Sequence, residues 1–184
     1  IVLAPMAQAS GGRLAAAVTH AGGLGLLGGG YGDADWVRRE FDAAGDARVG
    51  CGFITWSLAR APEVLAVALS RRPAAIMLSF GDPEAFAGDI RDAGIPLICQ
   101  VQSLEQADAA LRARANVIVA QGAEAGGHGM STRSTLTFVP AVVDLVAERS
   151  PETFVLAAGG IADGRGAGAW RRRRPGRHAT VGLQ

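Results

Sequence analysis

The feature that most constrains this chain is alternation. Short apolar runs at Ile1 to Ala4, Leu24 to Leu27, Val49 to Ile54, Ala74 to Ser79, Pro96 to Gln100, Asn116 to Gln121 and Phe154 to Ala158 are separated by segments of helical pattern. Continuous apolar runs of this length suit strands buried on both faces. The intervening segments carry helix start signals: Asp33-Ala34-Asp35 before WVRREFDAA, Pro62-Glu63 before VLAVALS, and Ser103 with Gln106 at capping-box spacing before ADAALRA. Strands alternating with helices argue a parallel sheet with helical crossovers.

A doubly wound sheet and a TIM barrel both satisfy that pattern, and the position of the unusual residues separates them. APM follows the first run, GFITW sits in and after the third, SFGDP follows the fourth, QVQS the fifth, QGAEAGGHG the sixth and GGIADGRG the seventh. Glycine and polar residues thus recur after almost every strand, around one rim, where a barrel carries its site. A doubly wound sheet would gather them at one switch point. The expectation is an α/β fold of the TIM (β/α)8 type, incomplete, with about seven strands present and the eighth lost.

Composition narrows the setting. The 184 residues are 49% hydrophobic with a mean hydropathy of +0.21, enough to bury a sizeable core in one domain. No apolar stretch reaches the roughly 18 to 20 residues of a membrane span, so a soluble, cytoplasmic protein is expected. Cys51 and Cys99 lie in separate apolar runs without metal-type spacing, and read as reduced core residues; no metal site is expected. The formal charge of +1 conceals an asymmetry: residues 171–184 hold five arginines and no acid, leaving 13 basic against 17 acidic groups in residues 1–170. That body lacks the basic stripe of a nucleic-acid surface.

Three motifs carry chemistry or its alternatives. AGGLGLLGGG, Ala21 to Gly30, is glycine-rich, but no Gly-Lys-Ser/Thr follows and the chain has no lysine. It reads either as a helix C-cap at Gly22 with close backbone packing, or as a close approach to a flat cofactor. AAGGIADGRG, Ala157 to Gly166, reads as a phosphate site, with glycine amides facing an anion and Asp163 capping the next helix. In QGAEAGGHGM, Gln121 to Met130, His128 follows two glycines in the loop after a strand, so a ligand can approach an imidazole that works as acid or base near neutrality. Glu124 either orients His128, starts a helix or takes an ion pair. His20 and His178 read as solvated or structural.

Taken in order, APM, AGGLGLLGGG, GFITW, AQGAEAGGHG and AAGGIADGRG resemble the nitronate monooxygenase family of FMN-dependent TIM barrels, over residues 1 to about 166. The resemblance implies noncovalent FMN and makes His128 the catalytic group. It also implies that Ala4, Pro5, Met6, Gln121, Gly126, Gly127, Gly159 and Gly160 line the flavin and its phosphate. The chain departs from the family at Gly52, where many members carry asparagine, and in the Ser, Thr and Arg loop after Gly129-Met130. Bacterial enoyl reductases share the GGH and AAGGIADG motifs.

The domain expectation is therefore an incomplete FMN-binding barrel over 1–166 and an aberrant basic tail over 167–184, disordered. Where the family barrel reads something like ALALGADGVQVGTRF, this chain reads GAGAWRRRRPGRHATVGLQ. A solvated tail, a nucleic-acid patch and a reading-frame error compete. Written as codons and read one nucleotide later, Ala167 to Thr180 permits Leu-Ala-Leu-Gly-Ala-Asp-Gly-Val-Gln-Val-Gly-Thr-Arg, with glycine forced at the tryptophan codon. That favours the frame error. The activity implied is oxidation of an alkyl nitronate or nitroalkane with molecular oxygen. The alternatives are FMN-dependent reduction of an enoyl thioester, and a catalytically dead incomplete barrel. Small molecules are the expected partners, with neither nucleic acid nor membrane, and homo-oligomer formation is left open.

Overall fold

The structure, a computed structural model, describes residues 1–130, 133–166 and 179–181. Its elements alternate as expected: α1 (Gly12–His20), β1 (Leu26–Gly28), α2 (Ala34–Ala43), β2 (Gly50–Ile54), α3 (Thr55–Leu58), α4 (Glu63–Ser70), β3 (Ile76–Ser79), α5 (Glu84–Asp92), β4 (Leu97–Val101), α6 (Leu104–Arg112), β5 (Val117–Gln121), α7 (Thr135–Arg149), β6 (Phe154–Ala158) and β7 (Ala179–Val181). The strands pair in sequence order, β1 to β7, and every pair is parallel. This is barrel order rather than the reversed order of a doubly wound sheet.

The incomplete barrel differs from expectation in which strands it contains. The run Ile1 to Ala4 supplies one isolated parallel bridge, Val2 to Leu24, in place of a strand. Leu3 donates its N–H to the Leu24 carbonyl at 2.9 Å, and the next donor due along a parallel ladder belongs to Pro5, which has none. At the other end, three residues of the supposed tail, Ala179–Val181, pair with Val155 to Ala157 of β6. The expectation of a wholly disordered tail is corrected for those three. Residues 167–178 and 182–184, with the arginine run and His178, lie outside the described residues.

Both faces of the sheet are buried, which accounts for the unbroken apolar runs. Leu26, Met77, Ile98, Val119 and Leu156 face one another inside the barrel. Their strand neighbours Leu27, Ile76, Leu78, Cys99, Ile118 and Val155 point outward against the helices, meeting Val37, Val64, Ile90 and Phe138. Asp33 caps α2 by accepting from the Trp36 N–H at 2.8 Å, and Ser103 caps α6 through the Gln106 N–H at 3.2 Å. In the glycine-rich Ala21 to Gly30 segment close packing prevails: a Cβ on Gly25 would sit 1.9 Å from the Ala15 carbonyl oxygen, and one on Gly28 would sit 2.2 Å from that of Met6. Helix α1 and the loop after the first run therefore lie directly on β1.

Candidate functional site

The C-terminal ends of the strands enclose a cavity of about 520 Å³, within the usual range for ligand sites. Ala4, Pro5, Met6, Gln121, Gly126, Gly127 and His128 all line it, brought from sequence positions more than a hundred residues apart. The Met6 end is held by Ser10, whose hydroxyl accepts from the Met6 N–H at 2.6 Å. Pro5 packs on β2 because residue 52 is glycine: a Cβ there would lie 2.2 Å from Pro5 Cγ. The proline ring thus takes the space that a side chain at position 52 would need.

His128 is exposed at the cavity lip, its ring 5.7 Å from that of Phe80 and tilted by 50°. Phe80 has φ of 62°, a left-handed conformation that costs a non-glycine residue on the order of 1 kcal/mol and that clusters at ligand sites. Beside the imidazole, a Cβ on Gly126 or Gly127 would meet no atom within 4 Å. The two glycines leave open space on the cavity side, as the GGH motif requires for close approach of a flat ligand.

Beneath the histidine lies a set of glutamines. Gln121 accepts at Oε1 from the side-chain amides of Gln100 and, at 3.1 Å, Gln102, and donates from Nε2 to the His128 carbonyl at 3.2 Å. Gln121 is almost fully buried yet lines the cavity, and its second amide hydrogen has no partner among the described residues. It is a fixed donor for whatever enters. Tyr31, Ser79, Phe80 and Gln100 also line the cavity and were not singled out in the sequence as site residues. The SFGDP and QVQS motifs signalled Ser79, Phe80 and Gln100 as polar or glycine-containing strand ends, and no motif signalled Tyr31.

Glu124 starts a helix. Its Oε2 accepts from the Thr135 N–H at 2.7 Å and the Thr135 hydroxyl at 2.8 Å, and the backbone bond holds its carboxyl below the ordinary range. Among the described residues it makes no bond to His128. The Thr135 hydroxyl also reaches the Gly159 carbonyl at 3.1 Å, which ties the histidine loop to the end of β6.

Gly159 and Gly160 do not line the cavity. Both have positive φ, 112° and 71°, and neither amide donates to another described residue. Consecutive glycines with unpaired amides fit an anion cradle. Asp163 accepts from the Arg165 and Gly166 amides at 2.9 and 3.2 Å, and its carboxyl is lowered by the Arg165 guanidinium first and these amides next. Cys51 and Cys99 are free and buried; burial raises the first thiol far above its ordinary value and pushes the second up to about 12. Among the described residues no group of side chains could hold a metal, and no helix is long and apolar enough to cross a membrane.

Comparison with known proteins agrees with this arrangement. The family model for nitronate monooxygenase matches residues 57–172. A nitronate monooxygenase of Paraburkholderia phytofirmans is 34% identical over 92% of this chain and 58% of its own length. One from Neurospora crassa is 31% identical over 90% of this chain and 54% of its own length. Among solved structures, FabK from Thermotoga maritima superimposes with a TM-score of 0.83 at 31% identity, covering 98% of this chain and 57% of that one. A nitroalkane oxidase from Streptomyces ansochromogenes gives a TM-score of 0.76 at 27% identity, covering 98% and 64%. The chain spans somewhat more than half the length of the curated relatives it matches. On the match to the family model and these identities, the chain belongs to the nitronate monooxygenase family of flavin-dependent TIM-barrel oxidoreductases.

Proposed function

We propose that this chain carries the flavin site of an enzyme that binds FMN and oxidises alkyl nitronates, or the parent nitroalkanes, with molecular oxygen. The observation that carries the reading is the placement of His128 on the lip of a cavity whose wall is left open by Gly126 and Gly127 and furnished with one fixed donor, Gln121. The residues present fit a flavin. At about 520 Å³ the cavity has the volume of a small-molecule site, Gln121 offers a donor to a ring heteroatom, and the amides of Gly159 and Gly160, which donate to no described residue, suit a phosphate. When bound, FMN supplies the electron-accepting chemistry that the protein's own side chains lack.

The remaining work falls to the chain itself. The Nδ1 and Nε2 atoms of His128 are the groups available to hydrogen-bond nitro oxygens, or to take the acidic proton from the carbon next to a nitro group. The Phe80 ring lies beside the imidazole, with centroids 5.7 Å apart, and limits the directions the side chain can take. Pro5, Met6 and Phe53 give the cavity an apolar wall suited to an alkyl substituent. The enoyl-thioester reductase reading is kept because of the superposition on FabK and, for the fold alone, on the enoyl reductase domain of MlnA from Bacillus amyloliquefaciens.

The test uses protein with the reading frame restored near Gly166; it begins with the visible absorption spectrum after incubation with FMN, and continues with two assays. Oxygen consumption with a preformed nitronate supports this reading. Oxidation of NADH or NADPH that depends on an enoyl thioester, with no oxygen uptake on nitronates, would replace it with the reductase reading. Protein without bound flavin and without either activity would leave the dead barrel.

A further inference from the structure

The loop that presents His128 is held to the barrel by glutamines. Among the described residues, the hydrogen bonds of residues 126–130 go to Gln102, Gln106 and Gln121 and to no other group. Two of these four bonds involve one side chain, that of Gln102. Gln102 follows β4 directly and is almost fully buried, 6% exposed, yet it does not line the cavity. Its Oε1 accepts from the Met130 N–H at 2.9 Å, and its Nε2 donates to the His128 carbonyl at 3.3 Å and to Gln121 Oε1 at 3.1 Å. A primary amide has two hydrogens and one oxygen to offer, and each has a partner here.

We propose that Gln102 is the positioning residue for His128, clamping the loop at the histidine's own carbonyl and at the Met130 amide two residues on, and fixing the direction of the Gln121 amide. The proposal rests on the functional reading above for the role of His128, but not for the clamp itself. Because Gln102 presents N–H to Gln121, as Gln100 does, the Gln121 end facing them must be its oxygen. The Gln121 nitrogen is thereby turned toward the His128 carbonyl and the cavity. A reversed Gln121 would set N–H against N–H in a buried site, at the cost of unsatisfied donors.

The clamp is itself braced. Gln106, one turn into α6, accepts from the Gln102 N–H at 2.7 Å and touches Met130 Sδ at 3.3 Å. The capping-box spacing of Ser103 and Gln106 is thus used differently from the usual reciprocal pair: the side chain of Gln106 reaches back one residue further, to Gln102, and locks the backbone that carries the clamp. Residues 126–130 include three glycines and have no other tether among the described residues, so without the clamp little would oppose their motion.

Hydrogen exchange on the full chain tests this with or without flavin. In Gln102→Ala the Met130 amide loses its acceptor and is expected to exchange about tenfold faster, the scale of one lost hydrogen bond, with β4 and α6 unchanged. Gln102→Glu keeps an acceptor for Met130 and removes the donor, so Met130 protection is expected to persist. In flavin-loaded protein, Gln102→Ala is expected to lower turnover of a neutral nitroalkane about tenfold and that of its preformed nitronate by less than about twofold, because only the first needs a well-placed base. Unchanged Met130 exchange in Gln102→Ala overturns the proposal. So does acceleration spread over β4 and α6 with a lower Tm, or equal loss on both substrates. Flavin-loaded protein with the reading frame restored near Gly166 but inactive on nitronates would overturn the functional reading alone, and the exchange result would still decide the clamp.

Discussion

At the scale of single residues, His128 is the group on which the proposed function relies, and the role proposed for it separates two substrates. A neutral nitroalkane has a proton to lose and a nitronate has already lost it, so in flavin-loaded protein with the reading frame restored His128→Ala should slow the nitroalkane by about 10² to 10⁴ while sparing the nitronate. Steady-state oxygen uptake on both substrates measures the split, and equal small losses would remove His128 as the base. Glu124 offers a second test. Its carboxyl is lowered by the Thr135 N–H, so its contact contributes stability above the unfolded value of about 4.3 and loses it as pH falls through the folded value. The group is exposed, which keeps the effect small. Between about pH 5 and pH 3 the wild type should therefore lose slightly more Tm than Glu124→Gln, which keeps an acceptor without the charge. A steeper acid slope in the variant would contradict this assignment. His128 was legible in the sequence because two glycines beside a histidine are unusual at a strand end. Gln102 was not, because its significance lies in a contact with Met130, 28 positions away, and a glutamine after an apolar run reads only as rim.

At the scale of elements, strands β1 to β6 fall within two residues of the apolar runs that announced them, since a strand buried on both faces leaves an unbroken hydrophobic record. The first run failed for a local reason, the missing N–H of Pro5, which a hydrophobic pattern does not register. Glycine positions give the element scale its own prediction, because the same substitution has opposite signs at two sites. Gly52→Ala would push a methyl 2.2 Å from Pro5 Cγ, displacing the cavity wall, and should cost about 1 to 3 kcal/mol by overpacking. In α5, a Cβ on Gly88 meets nothing within 4 Å, so Gly88→Ala should stabilise by about 0.5 to 1 kcal/mol through helix propensity. Denaturant midpoints of the two variants check the pair. Stabilisation by Gly52→Ala would mean that Pro5 does not pack on β2.

At the scale of the whole molecule, the described residues form a sheet that runs from the Val2 bridge through β1 to the three-residue β7, with no described pairing between β7 and the first run to close it. Open edges carry unpaired backbone groups, against a net stability of only about 5 to 15 kcal/mol for a typical domain. Gly159 and Gly160, proposed above to hold the phosphate, follow β6, the strand that pairs with β7, where a barrel gathers phosphate from the loops after its last two strands. On the proposed function, closure and phosphate binding would draw on the same stretch of sequence, the one that contains the four consecutive arginines at 171–174. Read one nucleotide later, that stretch permits a glycine-rich apolar segment ending in Gly-Thr, whose amides would join those of Gly159 and Gly160. The expected outcome is that the chain as written retains FMN weakly or not at all, whereas the version with the frame shifted near Gly166 purifies yellow and consumes oxygen with nitronates. Sequencing the coding DNA around that codon, then comparing flavin absorbance of the two proteins at equal concentration, makes the test. Coding DNA that offers no such reading within one nucleotide, or equal flavin retention by both proteins, would end the frame account and leave the arginine run with a function of its own to be found.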